Sequence, residues 1–485
     1  MTKKRNKWNF PWIIPRNVIP LQPKDNSMAM LERKFTKVLE LFLKENQNKI
    51  LLVNGARQIG KSYLIRYVGK RLFTHFVEIN LKEDKEGEQV FASVHTTNDL
   101  YMRLSNYYSE PLGDKSDTLV FLDEIQSYPH LMTMLKFLNQ EGKYRFIASG
   151  SQLGVALSQT PSVPLGSVEI QQMFPLDFEE FLWATGVSKE WIANIQAHYK
   201  KEEPLDESTH NLLLKRFQYY LLVGGLPDAI NRYLEDRNMV RVRMVHKDIH
   251  ELYRIDASQY DEDHKLKIRR IYDLISSNLE NKKKRIVYKQ IENKTGKHFA
   301  DYADEFEYLS NSGVALEVLA ISNPRFPLVE SEQKRLVKLY LNDVGLLTHL
   351  LYGLNVNAVL QDIRSINLGT VYESVVAQEL QAHGFALHYY DNKKKGEVDF
   401  LIDDYERLQV LPLEIKSGKD YTEHSALSKF LEAPEYGIER AIVFSNEREI
   451  YNKKGVTYMP VYYSMFLHKE TADADAVILP ELETV

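Results

Sequence analysis

The sequence predicts an α/β chain. Its first part is a parallel sheet with helices on both faces. A helical region, a winged helix-turn-helix and a mixed α/β C-terminal domain follow. Three observations carry this reading. Short apolar runs alternate with helical patterns over roughly the first third of the chain, the signature of strands joined by crossover helices. A glycine-rich turn links the first of these runs to the first strong helix. Beyond Phe174 the alternation gives way to helical patterns, and strand-like runs return toward the C-terminus. At 485 residues the chain is too long for a single hydrophobic core, so several domains are expected.

Residues 1–30 read as an N-terminal arm. Trp8, Phe10, Trp12, Ile13 and Ile14 are apolar, but Pro11, Pro15 and Arg16 interrupt them. A signal peptide needs an unbroken apolar stretch and a small-residue cleavage site, so an extended arm packing on the first domain is expected. Residues 31–175 form the sheet domain, with strands at Lys49–Asn54, Phe76–Leu81, Thr118–Leu122, Arg145–Ala148 and Ser167–Met173. A helix is expected over Lys61–Arg71. Residues 176–262 are helical and read as a lid, broken at Val223-Gly224-Gly225-Leu226-Pro227, where glycine turns the chain and proline starts a helix. Residues 263–335 run helix, basic turn (Lys282, Lys283, Lys284, Arg285), short helix, helix Ala300–Ser310 and strand Val314–Ala320. That order fits a winged helix. Residues 336–485 are mixed α/β.

Composition narrows the function classes. Apolar residues make up 44% and charged residues 27%, and the net charge is −5. No global nucleic-acid signature results, so contact with DNA would need a local basic patch. The absence of cysteine removes disulfides, thiolate metal sites and a cysteine nucleophile, and suits a cytoplasmic protein. No run approaches the roughly 20 apolar residues of a membrane span, so no membrane partner is expected. The histidines form no close pair suited to zinc.

The strongest chemical signal is Gly55-Ala56-Arg57-Gln58-Ile59-Gly60-Lys61-Ser62. A triphosphate is held by backbone N–H groups turned inward and by the positive end of the following helix, which a glycine loop allows. Lys61 is placed for the β- and γ-phosphates, and the Ser62 hydroxyl for Mg²⁺. The run Leu119-Val120-Phe121-Leu122 ends in Asp123-Glu124. Asp123 is expected to hold Mg²⁺ through water, and Glu124 to polarise the attacking water. An acidic helix cap is the plain alternative. Ser149, in Ala148-Ser149-Gly150-Ser151, is a candidate γ-phosphate sensor, with a simple turn as its alternative. No arginine finger is assignable among Arg57, Arg145, Arg216, Arg243 and Arg254. ATP and Mg²⁺ are thus the expected cofactors of a P-loop NTPase sheet.

These motifs occur with Phe174-Pro-Leu-Asp-Phe-Glu-Glu-Phe-Leu, Tyr220-Leu-Leu-Val-Gly-Gly-Leu-Pro-Asp-Ala and Tyr340-Leu-Asn-Asp-Val-Gly-Leu-Leu. Together they resemble the prokaryotic AAA-type ATPases whose C-terminal domain of unknown function has a restriction-endonuclease-like core. The resemblance covers nearly the whole chain after residue 30. One departure is Gly166-Ser167, where many relatives have Gly-Arg before the fifth strand, so no role for that arginine carries over.

The C-terminal part holds a second constellation. Asp399 lies in Gly396-Glu397-Val398-Asp399-Phe400-Leu401, and Glu414 and Lys416 in Leu413-Glu414-Ile415-Lys416. Residues two apart on a strand share a face, and a hairpin turning at Asp403–Arg407 would bring Asp399 beside Glu414. Paired carboxylates invite a divalent cation, and a lysine beside them could activate water for phosphodiester cleavage. Glu373 sits on an apolar helix stripe with Val376, Ala377 and Leu380, where a carboxylate needs a partner; a metal would serve. This order resembles the restriction-endonuclease-like fold, and makes Glu373, Asp399, Glu414 and Lys416 a candidate nuclease site. A solvated, salt-bridged hairpin is the plain alternative. Two functions remain open at this point. One is an ATPase acting on DNA with a nuclease-like domain. The other is a nucleotide-switched signalling or scaffold ATPase, alone or as a homo-oligomer, whose C-terminal domains bind protein partners.

Overall fold

Burial along the first strands follows their place in the sheet. In a computed structural model of the chain, β1 (Ile50–Asn54) is buried at every position, because helices cover both of its faces. The described residues are 30–45, 48–108, 111–151, 153, 166–257, 264–281, 283–361, 368–418, 422 and 425–469. The expected N-terminal arm lies outside them except for Met30, as does Lys282 of the basic turn. The chain divides into two compact units, Met1–Met30 and Leu31–Val485; every element below belongs to the second.

Helix α1 (Phe35–Lys44) precedes β1, and α2 (Lys61–Leu72) follows it. Then come β2 (His75–Asn80), α3 (Leu81–Glu86), α4 (Thr97–Tyr107), β3 (Thr118–Asp123), α5 (Pro129–Glu141), β4 (Arg145–Gly150) and β5 (Val168–Gln172). The five strands form a parallel sheet in the order β2-β3-β4-β1-β5. Central β3 and β4 are almost wholly buried, whereas the edge strands β2 and β5 are largely half-buried. The C-terminal ends of β1, β3 and β4 therefore open side by side. In an open α/β sheet that end is where ligands bind.

The helical region comprises α6 (Phe178–Ala184), α7 (Lys189–Lys201), α8 (Glu207–Val223), α9 (Pro227–Asp236) and α10 (Met239–Ala257). It continues with α11 (Lys265–Leu279), α12 (Tyr288–Glu292) and α13 (Ala303–Asn311). Next in the chain are β6 (Ala315–Ile321), β7 (Glu332–Leu341), α14 (Val344–Tyr352), α15 (Asn357–Leu360) and α16 (Leu368–Ala382). The chain then adds β8 (His388–Asn392), β9 (Gly396–Asp404), β10 (Gln409–Ile415), α17 (Ser425–Leu431), β11 (Ala441–Ser445), β12 (Tyr451–Lys453) and β13 (Val456–Pro460).

These strands make one mixed sheet, β12-β13-β11-β10-β9-β8-β6-β7. The domain boundary expected at 335/336 does not coincide with a break in the structure. β7 runs through it, and β6, the strand expected at Val314–Ala320 in the winged helix, pairs with β7 and is joined in parallel to β8. The reason is the open backbone edge of β6, whose N–H and C=O groups are satisfied by β8.

Asp343 ties this sheet to the helical region. Asp343, fully buried, caps α14 through Leu346 N (3.0 Å) and also accepts from Gly225 N at 2.6 Å. Burial pushes its carboxyl up to about 6, against the pull of those backbone donors. Gly225 in turn accepts from Leu176 N at 2.7 Å. A Cβ at Gly225 would sit 2.0 Å from Leu176 O, against backbone that cannot swing away. We therefore expect Gly225→Ala to cost about 2–4 kcal/mol. Thermal melting would read this as a lowered midpoint; an unchanged midpoint would mean that the contact is loose.

Candidate functional site

The phosphate loop is shaped by backbone before any side chain acts. Gly55 (φ 149°), Gln58 (φ 62°) and Gly60 (φ 93°) all hold positive φ. Gly60 then starts α2, so the helix's unpaired N–H groups face the loop. A Cβ at Gly55 would lie 2.4 Å from Met173 O, in the chain leaving β5. The loop is thus pressed from outside as well as curled from within.

Lys61 lies inside this turn, 6% exposed, and donates to Gly55 O and Ala56 O, both at 2.8 Å. Burial lowers its ammonium to about 8, against the opposing pull of Glu124 and Asp123. Ser62 Oγ donates to Asp123 Oδ2 at 2.7 Å. Asp123 Oδ1 accepts from Ser149 Oγ and from Glu124 N (3.1 Å). So α2, β3 and β4 each deliver a polar group to one point. Ser149 is fully buried on the carboxylate, where it orients Asp123.

Glu124 is a non-glycine residue in the left-handed region (φ 53°, ψ 45°), a conformation that costs about 1–2 kcal/mol. Gln126 Nε2 holds it, donating to Oε2 at 2.5 Å. Backbone strain of this kind gathers at functional positions.

Of the five arginines left open by sequence, only Arg57 is at the loop. Its Nη1 donates to Asp256 Oδ1 at 2.5 Å, and its Nε to Ser151 Oγ at 3.3 Å. Arg145 begins β4, at the opposite end of the strand, and donates to Leu43 O and Glu45 O. Arg216 meets Thr185, Arg243 is buried on carbonyls of α8 and α14, and Arg254 pairs with Glu251 and Asp273. Asp256 was missed by sequence reading. It ends α10, far along the chain, in a segment with no motif around it.

Helix α13 and the turn after it also reach the loop. Asn54 Nδ2 donates to Asn311 O (3.2 Å), and a Cβ at Gly313 would lie 3.0 Å from Ala56 N.

The likeness to known proteins agrees with this geometry. Residues 47–182 match the family model of the AAA domain. The first domain is an AAA-type P-loop ATPase domain. Residues 214–358 match a domain of unknown function (DUF8612), and 368–463 another (DUF4143). The eight-stranded sheet draws β6 and β7 from the first and β8 to β13 from the second. A comparison with curated proteins finds no significant match. Among solved structures, the chain is similar to the Walker-type ATPase PABY2304 of Pyrococcus abyssi, at 15% identity. That match covers 68% of this chain and 99% of that one, with a TM-score of 0.39. It is also similar to the RuvB Holliday junction branch migration motor of Thermotoga maritima, at 15% identity. There the coverage is 61% and 90%, with a TM-score of 0.28.

ATP and Mg²⁺ suit the residues present. The loop leads into the N-terminus of α2, whose unpaired N–H groups suit phosphate, and Ser62 with Asp123 supplies only oxygen donors, the set that Mg²⁺ prefers. No helix among the described residues is long and apolar enough to cross a membrane.

The four residues of the C-terminal constellation lie within electrostatic reach of one another. The β9–β10 hairpin forms with Leu413 opposite Phe400, and Asp399 Oδ2 accepts from Ile415 N at 2.8 Å. Glu373 is buried, as its stripe implied, and its partners within the chain are Lys284 and Tyr340 OH. Among the described residues, no three carboxylate or imidazole groups are arranged to hold a metal ion. The three described residues of the basic turn are paired within the chain too. Lys284 pairs with Glu373, while Lys283 and Arg285 pair with Asp391. A buried carboxylate draws the nearest cation because leaving either uncompensated costs several kcal/mol.

Glu414, 6% exposed, accepts from Lys416 at 2.8 Å through Oε1, while Oε2 has no partner. Burial, reinforced by Asp399, raises its carboxyl to about 8. The folded state therefore holds this proton more tightly than the unfolded chain. The stability it contributes is present below the ordinary carboxylate range and is lost as pH rises through about 8. Denaturant titrations from pH 5 to 9 should show wild type losing stability relative to Glu414→Gln. Parallel curves would rule out the raised carboxyl.

Proposed function

We propose that this chain binds and hydrolyses ATP, and that its nucleotide state is read by the helical region and the C-terminal sheet. The observation that carries this is the convergence of Lys61, Ser62, Asp123, Glu124 and Ser149 at the ends of three adjacent strands. Bound Mg²⁺ would neutralise charge developing on the phosphates. Lys61 exchanges the carbonyls of Gly55 and Ala56 for β- and γ-phosphate oxygens. Ser62 and Asp123 would hold the ion, with Ser149 fixing the carboxylate. Glu124, held by Gln126, orients and deprotonates the attacking water.

The variants separate these roles. Lys61→Ala should lower ATP affinity at least about tenfold and abolish turnover. Glu124→Gln should keep binding and lose about 10²–10³ in kcat. Nucleotide titration with a phosphate-release assay decides it; full turnover by Glu124→Gln would remove the base assignment.

For the C-terminal half, the pairing of Glu373, Lys284, Lys283 and Arg285 within the chain favours partner binding over phosphodiester cleavage. A second reading, a Mg²⁺-dependent nuclease at Asp399, Glu414 and Lys416, rests on the unpartnered Glu414 Oε2 beside Asp399. On that reading wild type cuts DNA with Mg²⁺ or Mn²⁺, and Glu414→Gln and Lys416→Ala do not. A wild type that leaves DNA intact with either ion would end it.

A further inference from the structure

We propose that Arg57 is the γ-phosphate sensor of this site, held in reserve by Asp256 of the helical region. Arg57 exchanges that carboxylate for the γ-phosphate when ATP, but not ADP, is bound. This rests on the ATP reading above.

Three features support the exchange. Arg57 is the third residue of the phosphate loop, and its guanidinium spans from Ser151, just beyond the end of β4, to Asp256 at the end of α10. Asp256 is 7% exposed, and both Lys61 and Glu124 lie within electrostatic reach of it. The pair therefore sits among the groups that would surround the terminal phosphate. Burial pushes the Asp256 carboxyl up against the pull of Arg57 and Lys82, and Glu124 adds to the push. A competing anion with more charge has the advantage over it.

The consequence is mechanical. Once Arg57 turns to a phosphate, the Asp256 carboxylate is left buried beside like charge, which it must escape. Asp256 is tied into the rest of the chain. Its carbonyl accepts from Tyr308 OH (2.9 Å) on α13, and Tyr253 OH, one turn earlier, donates to Arg57 O (2.9 Å). Asn342, after β7, donates to that same Tyr253 hydroxyl. A shift at Asp256 thus reaches α10, α13 and the edge of the C-terminal sheet. Arg57 would contact substrate; Asp256 is a positioning residue that acts through it.

Equilibrium titration with ADP and with a non-hydrolysable ATP analogue tests this without turnover. Asp256→Asn should tighten the analogue about threefold to tenfold, the size of one partly buried ion pair, and leave ADP within about twofold. Arg57→Ala should abolish the preference for the analogue over ADP, and adding Asp256→Asn to it should change nothing more. Asp256→Glu should restore the wild-type ratio and gives a folded control should the Asn variant melt early. If Asp256→Asn moves both ligands together or neither, the pair is only a structural staple and the proposal fails. If wild type binds neither ligand, the ATP reading itself has failed.

Discussion

The phosphate loop of this chain has few side chains with which to hold its own shape, so its neighbours hold it. Inside, Lys61 ties two carbonyls of the turn. Outside, Met173 O leaves no room for a Cβ at Gly55, Gly313 rests on Ala56 N, and Tyr253 and Asp256 grip Arg57 by backbone and side chain. A loop that must present N–H groups to a polyanion cannot also pair them within itself. The surrounding chain therefore supplies the constraint, and a change in the loop's occupant is felt by every element that touches it.

That constraint explains why the sheet domain and the regions after it form one compact unit. The helical region meets the loop through α10 and α13, and meets the C-terminal sheet through Asp343, which bonds Gly225 and caps α14. Another polar link runs from Glu379 on α16 to Phe178 N. These bonds are buried, so each partner is costly to leave unpaired. Relative motion is thereby concentrated where an alternative partner exists, and Arg57 with Asp256 is such a place.

The two acidic clusters show how the same residue types diverge with context. At the loop, Asp123 is surrounded by hydroxyl and backbone donors, which leaves oxygen atoms grouped for a cation. In the C-terminal cluster, Glu373 and Glu414 are paired with the cations Lys284 and Lys416 instead.

Much was legible from sequence. The strands of the parallel sheet, the glycine loop, and Asp123 and Glu124 at the end of an apolar run are local patterns, because period and turn chemistry are set by neighbours in the chain. The burial of Glu373 followed from its apolar stripe. Tertiary structure alone decided the rest. The strand expected at Val314–Ala320 became part of an eight-stranded sheet because the open edge of β6 was completed by β8. Lys283, Lys284 and Arg285 of the basic turn found partners because Asp391 and Glu373 lay within reach. Arg57 was singled out from five candidates by Asp256, 199 residues away. Such pairings depend on which charges the packing brings together, and periodicity carries no record of that.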